Sequence, residues 1–127
     1  MSSAATDPLP VTKPSDEPSL SHRVSPDARH VAEATALFRM LSDPTRLELV
    51  WHLVDQPADV TSLVAHTGAT RTGVSQHLAK LRLSGLVVTR REGRRIVYSL
   101  ADGHLARLVM EGLNHADHRV TGEPPHQ

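Results

Sequence analysis

Two short apolar patterns joined by a glycine-containing turn constrain the fold of this chain more than any other feature. The first pattern spaces its apolar residues as a helix does between residues 59 and 66, at Val60, Leu63 and Val64. The second opens at Thr70 and runs to about residue 84, with a common face formed by Val74, Leu78 and Leu81. Gly68 lies in the turn between them, where a residue that adopts left-handed backbone angles easily is favoured. Two short helices joined in this way are typical of a helix-turn-helix motif.

Apolar residues at helical spacing also predict two helices before this motif. The first runs from Asp27 to Ser42, and its apolar positions are Val31, Ala34, Leu37, Phe38 and Leu41. The second begins at Asp43 and Pro44, because aspartate caps a helix and proline suits its first position. It ends near Pro57, and the side chains expected to be buried are Leu47, Val50, Trp51 and Val54.

β-Branched and aromatic residues predict a hairpin after the motif. Residues 86–90 and 95–100 are rich in them, and Gly93 lies in the turn between the two strands. A last helix is expected over residues 102–118, with Asp102 at or near its N-cap. The predicted fold is therefore mainly α with a β-hairpin wing, an α+β winged helix-turn-helix domain.

Composition indicates one folded domain over residues 27–120. Residues 1–26 are rich in proline, serine, threonine and aspartate, and residues 121–127 are similar, so both ends are expected to be disordered tails. The chain has no cysteine, which excludes disulfides and thiolate metal sites. No apolar run reaches the roughly 20 residues of a membrane span, and residues 1–25 do not resemble a secretory signal. We therefore expect a soluble cytoplasmic protein that does not contact a membrane.

Positive charge is concentrated where the helix-turn-helix motif and the hairpin lie. The whole chain balances 14 basic against 14 acidic residues, whereas residues 70–97 hold seven basic residues and the single acid Glu92. Such a surface suits phosphate contacts with nucleic acid. The side chains expected to read base edges are Arg71, Thr72, Ser75 and Gln76. Lys80 is expected to face outward beside them, and the residues expected at phosphates or in the minor groove are Arg90, Arg91, Arg94 and Arg95.

The last helix carries four residues of metal-ligating type, but their spacing prevents a single helix from bringing all four to one ion. They are Asp102, His104, His115 and His118. The eleven residues from His104 to His115 correspond to a rise of about 16 Å, so one helix cannot place both rings on one ion. At about 100° per residue, however, His115 and His118 lie within roughly 20° and 40° of the direction of His104, so the three histidines share one stripe. Two such helices paired antiparallel about a twofold axis would bring opposite ends together and create two identical sites.

Those paired helices would form a dimer interface and a closed metal site together. The apolar surface for the contact is expected from Leu105, Leu108, Val109, Gly112 and Leu113. One carboxylate and three imidazoles complete a tetrahedral site of the type that zinc accepts, with no open position for a substrate. Asp102 is the ambiguous member, because helix capping explains it equally well.

Three segments in this order resemble the ArsR/SmtB family of winged-helix repressors. They are Phe38-Arg39-Met40-Leu41-Ser42-Asp43-Pro44-Thr45-Arg46-Leu47, Val74-Ser75-Gln76-His77-Leu78-Ala79-Lys80-Leu81 and Gly93-Arg94-Arg95-Ile96-Val97-Tyr98. The resemblance spans about residues 30–119 and implies a homodimer that binds an inverted-repeat operator. It also implies that an inducer, usually a metal ion, releases the DNA. The subgroup that senses zinc or cobalt through its last helix has the same Asp-x-His and His-x-x-His pattern, which implies all four ligands named above.

The resemblance therefore implies a repressor, not an enzyme, that binds operator DNA in its apo form and is released by Zn(II). Nickel and cobalt sensors of the family recruit further ligands, so Co(II) or Ni(II) is an alternative inducer with His22, His30 or His126 as an added ligand. Sensing of arsenite, cadmium or lead through thiolates is excluded, because the chain has no cysteine.

Two other hypotheses differ in the role of the histidines. The first is a winged-helix regulator controlled by a non-metal ligand, with the histidines incidental. The second, a zinc hydrolase, is disfavoured because the chain lacks a His-Glu-x-x-His motif and the site lacks an open coordination position.

Overall fold

Five helices and one antiparallel hairpin make up residues 23–122, the part of the chain that the computed structural model describes. In chain order the elements are α1 (Ala28–Leu41), α2 (Pro44–Asp55), α3 (Val60–Thr67), α4 (Arg71–Leu83), β1 (Val87–Glu92), β2 (Arg95–Leu100) and α5 (Gly103–Thr121). This order confirms the predicted winged helix-turn-helix. The predicted tails fall largely outside the described residues, which exclude 1–22 and 123–127.

The chain divides into two compact units, Met1–Ala32 and Glu33–Gln127. In the described part of the first unit, Asp27 precedes α1 and accepts a hydrogen bond from the backbone N–H of Arg29 at 2.9 Å. It accepts another from the backbone N–H of His30 at 3.0 Å. The second unit holds the rest of α1, the hairpin and the remaining helices.

An oxygen-bearing side chain caps the N-terminus of each helix from α2 to α5. Asp43 and Asp59 each accept a hydrogen bond from the backbone N–H three residues later, at 3.0 Å and 2.9 Å. Thr70 and Asp102 do the same for α4 and α5. These bonds satisfy N–H groups that have no acceptor within the helix, which explains why the helices begin where the sequence predicts. They are also the largest cause of the lowered pKa of Asp43 and of Asp59.

The core is built around one face of α4. Val74, Leu78 and Leu81 are each 0% exposed, as the apolar spacing predicts. They belong to one hydrophobic cluster whose other buried members are Leu41, Leu49, Val50, Leu53, Leu63, Leu86, Val87, Leu105 and Val109. Helices α2 and α3 and strand β1 pack directly against α4, so three elements fix its orientation.

The predicted buried face of α2 is wrong at Trp51, which leaves 45% of its surface exposed. Leu49 and Leu53 are buried instead, at 0% and 3% exposure. Apolar residues occur nearly all round this helix, so periodicity alone does not select the face that meets α4. Phe38 in α1 is likewise 56% exposed, although it shares the apolar spacing of Leu37 and Leu41.

The wing is joined to the beginning of α3 as well as to α4. Strands β1 and β2 pair from Val87 with Leu100 to Glu92 with Arg95, around Gly93 at a φ of 63°. The backbone of Ala58 pairs with that of Tyr98 through hydrogen bonds of 3.0 and 2.8 Å. None of the helices between residues 23 and 122 is long and apolar enough to cross a membrane.

Shortening Leu78 tests whether the α4 face carries the stability of the fold. Leu78→Ala removes a side chain that is 0% exposed, and such a cavity in a core costs about 2–5 kcal/mol of unfolding free energy. The matched change Leu83→Ala lies on the same helix at 89% exposure and is expected to cost little. Urea denaturation at one fixed protein concentration measures both. Equal losses would contradict this account of the core.

Candidate functional site

The outer face of α4 carries all the side chains that the sequence predicts to read bases. Arg71, Thr72, Ser75 and Gln76 are exposed, and so is Lys80 one turn further on. Their exposure follows from the burial of Val74 and Leu78, since residues three and four apart share a helix face and the intervening ones do not. Arg71 donates a hydrogen bond from its guanidinium to Thr61 Oγ1 at 3.2 Å, so α3 helps to position it.

The four wing arginines are exposed, but two of them are already paired with acidic side chains. Arg90 binds Glu92 within β1, with a 2.7 Å bond from its Nε. Arg95 Nε lies 3.0 Å from Asp59 Oδ2, and Arg95 Nη1 lies 3.6 Å from Glu92 Oε1. Arg91 and Arg94 make no ion pair with any residue between 23 and 122. They can therefore approach a phosphate without first giving up an internal contact.

The side chain of His77, on the inner side of this surface, is only 24% exposed. Its Nδ1 lies 3.4 Å from a guanidinium nitrogen of Arg46, whose Nε donates to the carbonyl of Met40 at 2.8 Å. Its Nε2 lies 3.8 Å from Asp43 Oδ2. These contacts connect the junction of α1 and α2 to the middle of α4. Spacing does not reveal the connection, because Arg46 and His77 are 31 residues apart.

The four predicted metal-ligating residues lie at the two ends of α5, as helix geometry requires. Asp102, His104 and His115 are exposed, and His118 is half-buried. Among the described residues of one chain, no three histidine or acidic side chains are grouped so that they could hold a metal ion. The donors in α5 are imidazole nitrogens and a carboxylate, which suit zinc, cobalt and nickel better than soft ions.

Asp102 and His104 have side-chain hydrogen bonds within their own protomer. Asp102 Oδ1 accepts from the backbone N–H of Leu105 at 2.9 Å, so it caps α5. His104 Nδ1 accepts from the guanidinium of Arg107 at 3.2 Å, because arginine can only donate. The neutral His104 ring therefore carries its proton on Nε2, and binding a metal through either nitrogen requires a change at this ring.

The start of α5 shares a groove with the end of α4. This groove, of about 400 Å³, is lined by Leu37, Gly85, Leu86, Ala101, Asp102, His104, Leu105 and Leu108. Backbone hydrogen bonds follow the same route: Ala101 N–H donates to the Leu86 carbonyl at 3.0 Å, and Leu86 N–H donates to the Leu81 carbonyl at 2.9 Å. A displacement at the Asp102 end of α5 therefore has a direct path of contacts to α4.

The apolar residues predicted to form a dimer interface divide into two groups. Leu105 and Val109 are 7% and 2% exposed, because their side chains already pack in the core of their own protomer. Leu108 and Leu113 are half-buried and Gly112 is exposed. Together with Phe38, Val109 and three neighbouring residues they line a shallow apolar cavity of about 240 Å³. The surface left for a partner thus lies along α1 and the middle of α5.

The histidines considered as extra ligands are only partly described. His22 and His126 lie outside the described residues. In the first unit, His30 Nδ1 lies 2.8 Å from Asp27 Oδ1, so a carboxylate at the start of α1 already binds this ring.

Comparison with known proteins gives a consistent result. Residues 43–89 match the family model for bacterial regulatory proteins of the arsR family. The HTH-type transcriptional regulator KmtR of Mycobacterium tuberculosis is 43% identical over 90 residues, which are 71% of this chain and 69% of that protein.

Two solved structures are also similar. The homodimeric winged helix-turn-helix DNA-binding domain Mb0332 of Mycobacterium bovis, a possible ArsR-family regulator, matches with a TM-score of 0.70 and 26% identity. That match covers 85% of this chain and 100% of the other. The AntR antimony-specific transcriptional repressor matches with a TM-score of 0.70 and 28% identity over 86% of this chain and 99% of that one.

Two substitutions at Asp102 separate its role as a helix cap from any other role. Asparagine caps a helix about as well as aspartate, so Asp102→Asn is expected to leave the unfolding free energy nearly unchanged. Asp102→Ala is expected to cost about 1 kcal/mol, because the Leu105 N–H loses its acceptor. Thermal or urea denaturation in the absence of metal compares the two. An asparagine variant as unstable as the alanine variant would contradict the capping role.

Proposed function

The chain belongs to the ArsR family of bacterial regulatory proteins, and we propose that it is a metal-responsive repressor that binds operator DNA as an apo homodimer and leaves it when Zn(II) binds. The family consists of transcriptional regulators, so the chain is not an enzyme. The observation that carries the proposal is the groove in which Asp102 and His104 meet Gly85, the second residue after α4. The proposed ligand is operator DNA, and the proposed location of the protein is the cytoplasm.

The DNA-binding part of the proposal rests on the exposed face of α4 and on the wing. Arg71 and Gln76 have side chains that form bidentate hydrogen bonds with base edges in the major groove. Arg91 and Arg94, at the tip of the wing, are free of ion pairs within residues 23–122 and suit phosphates. Two copies of this surface related by a twofold axis would fit an inverted repeat.

The homodimer is supported by the apolar surface along α1 and α5. Phe38 at 56% exposure and Met110 at 45% are large apolar side chains on these two helices, and burying them gives a favourable free energy of association. The structural relative Mb0332 is itself homodimeric. Antiparallel pairing of α5 with its copy would bring the Asp102 and His104 end close to His115 and His118 of the partner subunit.

The metal response is supported by the donors that this pairing would collect. Three imidazoles and one carboxylate suit Zn(II), with Co(II) or Ni(II) as alternatives. AntR is named for antimony, whereas the present chain has no cysteine and offers only nitrogen and oxygen donors. A bound divalent ion would supply the bonds that hold the two α5 helices in one relative position.

The route to DNA release starts at the beginning of α5. A movement of α5 changes the position of Ala101, whose N–H donates a hydrogen bond to the backbone carbonyl of Leu86. The N–H of Leu86 in turn donates a hydrogen bond to the backbone carbonyl of Leu81 in α4. A ring N–H of His115 from the partner subunit, bonded toward the backbone near Gly85, would act at the same place. A coupling of about 1–3 kcal/mol between the two sites corresponds to a 5- to 150-fold change in affinity, which is sufficient for a repressor.

Substitutions on α4 and on the wing are expected to affect DNA binding in different ways. Gln76→Ala removes a base contact and is expected to weaken operator binding by about 1–3 kcal/mol while leaving non-operator DNA nearly unaffected. Arg91→Ala removes a phosphate contact and is expected to weaken both DNAs and to lower the salt slope by about 1. Fluorescence anisotropy over a salt series measures both. Identical effects of the two variants would contradict this assignment.

Removing imidazoles from α5 tests the metal switch. His104→Ala and His115→Ala are expected to lose two zinc ions per dimer in equilibrium dialysis and to lose zinc-dependent release of the operator. Apo operator affinity should remain, because neither residue lies on the DNA-facing surface. His30→Ala is the matched control for zinc and is expected to retain the response to Zn(II), whereas a response to Ni(II) or Co(II) that this variant loses would favour the alternative inducer.

The visible spectrum of the Co(II)-substituted protein then distinguishes the metals. Intense absorption bands indicate four ligands and support zinc, whereas weak bands indicate six ligands and favour nickel or cobalt. The metal switch is wrong if stoichiometric zinc, nickel and cobalt all leave operator affinity unchanged.

A further inference from the structure

We propose that His52 and His66 form a second transition-metal site between α2 and α3, separate from the four residues of α5. His52 lies half-buried in the last turn of α2, and His66 lies exposed in the last turn of α3. The centroids of the two imidazole rings are 5.0 Å apart, and the ring planes are inclined by 41°. The proposal does not depend on the α5 sites, since it uses none of their residues.

The separation of the rings fits two imidazoles bound to one ion. A zinc–nitrogen bond is about 2.0–2.1 Å long, and the ring centroid lies about 1.1 Å beyond the nitrogen. Two rings bound at a tetrahedral angle therefore have centroids about 5 Å apart. The observed 5.0 Å matches this value.

His66 is already held in one tautomer, which leaves its Nε2 free to bind a metal. Its Nδ1 lies 2.7 Å from the backbone carbonyl oxygen of Ser62. Because a carbonyl oxygen only accepts, Nδ1 carries the proton and the Nε2 lone pair of the neutral ring is available. A ligating histidine commonly donates its other N–H to a backbone carbonyl or a carboxylate in this way.

The pair opens into a pocket that has room for the remaining ligands. The pocket has a volume of about 420 Å³ and is lined by His52, Asp55, Gln56, Pro57, Ala58, Ser62, Leu63, His66 and Arg95. Asp55 brings a carboxylate to the same pocket as the two rings. The positive charge of Arg95 is offset by Asp59 at 3.0 Å and by Glu92 at 3.6 Å.

The residues present define the class of ion and the strength of binding. Within residues 23–122 no three histidine or acidic side chains are already grouped to hold a metal, so the site has two protein ligands, with water completing the shell unless the side chain of Asp55 turns toward the ion. Such a site favours borderline ions that bind imidazole, namely Zn(II), Ni(II) and Cu(II). We expect weaker binding than at a site with four protein ligands. An ion here connects α2 to α3, the first helix of the helix-turn-helix motif.

Zinc binding by a full-length variant that lacks the α5 histidines tests the proposal. His104→Ala/His115→Ala is dialysed against Zn(II), and one weakly bound ion per protomer is expected to remain. Adding His52→Gln or His66→Gln to this variant is expected to remove that ion, whereas adding His30→Ala is the matched control and is expected to leave it. Circular dichroism confirms that each variant is folded.

NMR of the imidazole nitrogens in the His104→Ala/His115→Ala variant gives a second measurement. It leaves His52 and His66 themselves unchanged. Zinc is expected to shift Nε2 of His66 and one ring nitrogen of His52, while Nδ1 of His66 stays protonated. The proposal is overturned if no ion remains after removal of the α5 histidines, or if the ion persists once His52→Gln or His66→Gln is added to the His104→Ala/His115→Ala variant. Failure of the repressor proposal would be seen separately, as operator affinity that does not respond to metal.

Discussion

Burial of one face of α4 is the constraint on which the rest of the structure depends. Val74, Leu78 and Leu81 contact residues from several other elements and have no exposed surface. Rotating α4 about its axis would expose these side chains and bury charged ones, so the helix has one available orientation. That orientation determines which residues face outward, and the surface proposed to read bases is therefore a consequence of packing in the core.

The sequence predicts the helix starts and the buried face of α4 because both depend on local chemistry. A cap is formed by a side chain and an N–H three residues away, as at Asp59, and an apolar face repeats within one helix. The burial of α2 is different, because apolar side chains surround most of that helix. Which of Leu49, Trp51 and Leu53 is buried depends on where α4 lies, and periodicity contains no such information.

The candidate site shows the same division between local and distant contacts. The excess of arginine over residues 70–97 can be read directly from the sequence, as can the spacing of histidines in α5. The pairing of Arg95 with Asp59 cannot, because 36 residues separate them and only the return of β2 toward α3 brings them together. The sequence does not reveal the pair of His52 and His66, for the same reason. Two histidines on successive helices become neighbours only through the turn between α2 and α3.

The attachment of the wing to α3 affects the thermodynamics of association. The backbone pairing of Ala58 with Tyr98 and the ion pair of Arg95 with Asp59 order the hairpin relative to the helix-turn-helix motif before any ligand arrives. A free hairpin would lose conformational entropy on binding, and that loss would reduce the affinity. Here the loss occurs during folding. The two elements proposed to contact DNA are thus preorganised, and a small rigid-body displacement would move both out of register with a double helix.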